Sequence, residues 1–107
     1  MRLYRVVSRE EAIDIRLCGR FRQGPNSFEG KWFAESFADA ETWGQRLYPV
    51  GTTGLHVIEA EVADAVANRW FRLTKLDNVG PGRYADSSVL HLIVIVQEIP
   101  LPSTGGP

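Results

Sequence analysis

A chain of 107 residues with a formal net charge of −1 supports one small domain around one core, with no room for a separate regulatory module. The near-neutral balance gives no electrostatic case for a nucleic-acid or membrane partner, although Arg2, Arg5, Arg9, Arg16, Arg20 and Arg22 make the first quarter locally positive. Cys18 is the single cysteine, so an internal disulfide and a cysteine-based metal site are excluded; His56 and His91 lack metal-ligand spacing, and no apolar run approaches the roughly 20 residues of a membrane helix.

Leu3 to Val7 predicts a first strand, with Arg5 set among β-favouring neighbours. Ser8-Arg9-Glu10-Glu11 matches a capping box, so a short helix should follow, with Ile13 and Leu17 on one face and Gly19 at its end. Gly24, Pro25, Asn26 and Ser27 are turn formers and imply an ordered loop. Trp32 to Ala34 reads as a short strand feeding a second capped helix, opened by Ser36 and Asp39, in which Ala40, Trp43 and Leu47 recur at helical spacing until Pro49.

Leu55 to Val62 alternates as a strand, with Ile58, Ala60 and Val62 on one face and Leu55 and Val57 on the other. Asp64 to Leu73 is compatible with a turn of helix or a strand, the latter around Trp70 to Leu73. Leu76 to Gly82 is turn chemistry, and the apolar, β-branched run Val89 to Ile99 predicts a buried central strand. Pro100, Pro102 and the final Ser-Thr-Gly-Gly-Pro imply a flexible tail over 101–107 behind a domain at 1–100. The element count predicts an α+β fold of split antiparallel β-sheets with flanking short helices.

In this order, Leu3-Tyr4-Arg5-Val6-Val7, Gly30-Lys31-Trp32-Phe33-Ala34-Glu35, Ala40-Glu41-Thr42-Trp43 and His56 to Val62 resemble the ADP-ribosyltransferase fold, in its diphtheria-toxin-like and poly(ADP-ribose)-polymerase-like branch. The resemblance implies an NAD-dependent ADP-ribosyltransferase or NAD glycohydrolase, with NAD as substrate, that cleaves the nicotinamide glycosidic bond. Trp32 and Trp43 match the family's two nicotinamide-sandwiching aromatics, and Arg5 the residue that orients NAD through its ribose. Asn26, Ser27, Gly30 and Phe33 join them as cofactor-binding candidates. The family's catalytic Glu falls on Arg83, so Asp86 and Glu98 are the carboxylates left as catalytic candidates beside Arg5.

A small toxin-type module, bacterial and soluble, is implied, with a macromolecular acceptor (protein or nucleic acid), a cognate immunity or antitoxin protein and no membrane. Its compartment would be cytoplasmic, or the target-cell cytosol if the chain belongs to a secreted toxin. Two other readings stay open. One is a catalytically inactive relative that binds NAD or ADP-ribose. The other is a protein-interaction domain whose Trp32 and Trp43 are plain core, with Arg5 at the surface or buried beside a carboxylate.

Overall fold

The computed structural model describes residues 1–22 and 30–104. Six strands form one antiparallel sheet: β1 (Arg2–Val7), β2 (Lys31–Ala34), β3 (His56–Glu61), β4 (Phe71–Leu76), β5 (Gly80–Ala85) and β6 (Val94–Pro100), in the spatial order β4-β5-β2-β1-β3-β6. Helix α1 (Arg9–Cys18) follows β1, α2 (Phe37–Leu47) follows β2, and a short α3 (Asp64–Ala67) precedes β4. Both serine N-caps form: the Ser8 and Ser36 hydroxyls accept the backbone N–H of Glu11 and of Asp39, each at 3.2 Å.

Alternation along β1 and β3 sorts the core into two faces. Leu3, Val7, Ile58 and Ala60 pack with Ala12 and Ile15 of α1 and with Phe21 and Phe33. On the other face Val6 and Val57 pack with Ala40 and Trp43 of α2. The seam of α1 is therefore Ala12 and Ile15 rather than the expected Ile13 and Leu17, which are exposed.

The expected pair of split sheets is one sheet, but its middle is nearly parted. β1 and β2 share one register pair, Tyr4 with Ala34, whereas β1 and β3 share six. In place of further ladder bonds, Nη1 of Arg5 donates to the Trp32 carbonyl at 3.2 Å, so that a side chain satisfies this acceptor. No further register pair joins the two strands beyond Tyr4.

Three further expectations fail for local reasons. The apolar run from Val89 is not a central strand: Ser87–Leu92 is a 3₁₀ helix and Val94–Pro100 is the outermost strand, with Val94 62% exposed. Asp86 decides this, because its carboxylate accepts the Ser88 N–H at 2.9 Å and starts a helical turn that β-branched propensity alone would not favour. Turn geometry is confined to Asp77–Val79, and Gly80-Pro81-Gly82 enter β5. A Cβ on Gly82 would lie 2.8 Å from Leu76 Cδ2 and 3.2 Å from Trp43 Cη2, so glycine is needed there to let the strand pass under α2. Finally, Leu101 to Thr104 do not fray: the Leu101 N–H donates to Leu55 O at 2.9 Å, and Thr104 is buried, exchanging backbone bonds with Gly51 and Thr52.

Candidate functional site

A cavity of about 330 Å³ lies where β1 and β2 part. β1 contributes Arg5 and Val6, β2 contributes Trp32, and α2 contributes Trp43 and Leu47. Tyr48 at the end of α2, Leu76 at the end of β4 and Asp77 in the β4–β5 turn complete the lining. Three residues separated by as much as 38 positions, and singled out from sequence, thus line one space: Arg5, Trp32 and Trp43.

Arg5 reaches this position because alternation points it to the α1 side of β1, where its neighbour is Glu11. Nε donates to Glu11 Oε2 at 2.8 Å and Nη2 to Oε1 at 3.1 Å, a two-pronged pair with both side chains about four-fifths buried. Glu11, expected to complete a capping box, is instead Arg5's anchor, and Lys31 Nζ stands 3.5 Å from the same Oε2. Burial pushes the Glu11 carboxyl upward, but the Arg5 hydrogen bonds and charge, helped by Lys31, outweigh it and hold the group below its ordinary range. Lys31 is also lowered, because its own burial outweighs the attraction of Glu11. Arg5 thus lines the cavity with its guanidinium held in place, and the carboxylate that holds it lies outside the lining.

The two tryptophans differ. Trp43 is 4% exposed and belongs to the α2-side core, with Nε1 closed off from solvent and without a hydrogen-bond partner among the described residues. Trp32 is half-buried and lies outside both core clusters. It leans on Tyr84 and Phe71, with ring centroids 5.1 and 6.1 Å away. Chemically the cavity offers one rigid indole, one more exposed indole, a guanidinium and the phenol of Tyr48, a combination suited to a flat ring bearing polar substituents.

The other sequence candidates lie elsewhere. Phe33 is fully buried on the opposite face, edge-on to Phe21 at 5.1 Å, and is core. Gly30 donates its N–H to Tyr84 Oη at 2.7 Å, and a Cβ there would fall 1.9 Å from the Ala85 carbonyl oxygen, so its glycine serves a close backbone approach. Asn26 and Ser27 lie outside the described residues. Asp86 is committed to Ser88, whose hydrogen bonds lower its carboxyl. Glu98 shares a cross-sheet row with Arg5 through Ile58, but two strands away, roughly 10 Å on the usual strand spacing. There it holds Arg16 and lies 3.2 Å from His56 Nε2; the Arg16 hydrogen bonds lower its carboxyl. Neither carboxylate lines the cavity.

Tyr48, Leu76 and Asp77 were missed from sequence. Tyr48 follows Trp43 by little more than one helical turn, which was the signal available; nothing local announced that the hairpin turn would join the lining. A second cavity of about 340 Å³ sits beyond α2 under Leu101 to Thr104, but no aromatic ring lines it. Among the described residues no group of three or more His, Cys, Asp or Glu is placed to hold a metal ion, and no helix is long and apolar enough to cross a membrane. Compared with known proteins, the chain matches no family model, no curated protein and no solved structure.

Proposed function

We propose that the protein binds NAD or an ADP-ribose-containing nucleotide at the cavity between β1 and β2, with the nicotinamide-sized ring held by Trp32 and Trp43 and the ribose-phosphate side met by Arg5. The observation that carries this is the convergence of Arg5, Trp32 and Trp43, from three separate elements, on one cavity of about 330 Å³. A ring of that size is held by flat apolar faces, and a guanidinium preset by a carboxylate binds phosphate or ribose oxygens with little further ordering cost.

The position of the carboxylates favours binding over turnover. Cleavage of the glycosidic bond develops positive charge on the ribose, and a nearby carboxylate is what stabilises it. Asp86 and Glu98 are tied up outside the cavity, and the one acidic residue in its lining is Asp77, at the exposed turn.

The test is a calorimetric titration with NAD and ADP-ribose, paired with a chromatographic assay for released nicotinamide. Saturable binding is expected, weakened about tenfold in Trp32→Ala, in line with the usual worth of one base-stacking ring. Nicotinamide release should equal the buffer control. Absence of any binding, or equal affinity in Trp32→Ala, would reject the site. Release above buffer that disappears in Asp77→Asn would replace the binding-only form by an NAD glycohydrolase or ADP-ribosyltransferase activity.

A further inference from the structure

Trp32, Tyr84 and Phe71 form one row across the sheet. The register pairs Trp32 with Tyr84 and Tyr84 with Phe71, so the three side chains stand on the same face of β2, β5 and β4. The next row, on the other face, starts at the buried Phe33 and turns polar on β5 and β4: Arg83 and Arg72 pair with each other in register and both bind Glu35 at 2.7 Å.

None of the three rings belongs to either core cluster. Phe71 is 61% exposed on the outermost strand, a position where packing demands no ring and where edge strands usually carry charge. Tyr84 is fixed by its hydrogen bond to the Gly30 N–H. Trp32 is the shared member: it lines the cavity and also lies 6.1 Å, centroid to centroid, from Phe71. An aromatic surface therefore leads out of the cavity and ends on an exposed ring.

We propose that Phe71 is the second base-stacking platform of the site, so that the ligand is a dinucleotide whose adenine lies on Phe71 while its other base occupies the cavity; this rests on the nucleotide-binding reading above. The two bases of a dinucleotide are joined by a ribose–pyrophosphate–ribose tether, which reaches past one tryptophan. An exposed phenyl ring offers an adenine a stacking face at little desolvation cost. The site should then prefer NAD to nicotinamide mononucleotide, which shares the cavity-bound half and lacks the adenine.

The experiment measures the affinity of NAD and of nicotinamide mononucleotide for the native chain, Phe71→Ala and Phe71→Trp. In the native chain NAD binds about tenfold tighter than the mononucleotide, Phe71→Ala removes that preference, and Phe71→Trp keeps it, since stacking needs a ring more than a particular ring. Affinity for the mononucleotide falls by less than that for NAD in Phe71→Ala, since Phe71 reaches this ligand only through its packing on Trp32. Phe71 is exposed, so Phe71→Ala should fold, and Phe71→Trp retains the ring if it does not. An unchanged NAD preference in Phe71→Ala, or an equal loss for both ligands, overturns the platform while leaving the cavity in place. Failure of the native chain to bind either ligand overturns the cavity reading and the platform with it.

Discussion

The Arg5–Glu11 pair is the residue-scale feature with the largest consequence, because it fixes a guanidinium that also bonds the Trp32 carbonyl, on a residue that lines the cavity. Glu11 has a folded pKa below its unfolded value, so its contribution to stability is fully present above about pH 4.5 and is lost as pH falls through the depressed folded value. Glu11→Gln should therefore destabilise the protein by about 2 kcal/mol at pH 7, since a largely buried guanidinium loses its ionic partner. The difference from the native chain should shrink progressively as pH falls below about 4.5. Urea melts at a series of pH values from 7 downward check this; a gap that stays constant down to the acid unfolding of the native chain would mean that the Glu11 charge is not what stabilises the fold.

At the scale of elements, β5 is the strand that a reading by composition misses. Gly80, Pro81 and Gly82 are turn formers, yet they lie in a strand because its neighbours crowd it. Pro81 is tolerated because the β2 ladder ends at Ala34 opposite Gly82, while the register with β4 shifts between Leu73 and Leu76. Gly82→Ala puts a methyl against Leu76 and Trp43 and should cost about 1–3 kcal/mol, the usual range for overpacking. An unchanged urea midpoint would contradict that crowding. The same contact couples β5 to the site, since Leu76 and Trp43 both line the cavity. The last strand carries the opposite lesson: Val94 to Ile99 has the composition of a buried strand, but it is the edge, because no seventh strand follows it among the described residues and its neighbour β3 is already flanked by β1.

At the scale of the whole molecule, the chain closes on itself through the segment after β6. Thr104 bonds to Pro49, Gly51 and Thr52, and Leu101 packs into the α2-side core, so the C-terminal segment braces the loop that follows α2. A chain ending at Pro100 should lose on the order of 3 kcal/mol, from several hydrogen bonds worth about 1 kcal/mol each and the exposure of Leu101. A thermal melt indistinguishable from the native one would show that the brace is not needed.

By itself the sequence determined what short-range chemistry controls. The serine caps set the starts of α1 and α2, alternation in β3 assigned Ile58 and Val57 to opposite faces, and Arg5, Trp32 and Trp43, which line one cavity, could be singled out as candidates by residue type and order. What only the tertiary structure decided is relational. Glu11 became the anchor of Arg5 rather than a cap. Asp86 and Glu98 went to partners outside the cavity, because a carboxylate's role depends on which cation or N–H the fold brings beside it. Strand order is of the same kind: local propensity records how willing a segment is to extend, while its place at the centre or the edge depends on pairings between residues far apart in the chain.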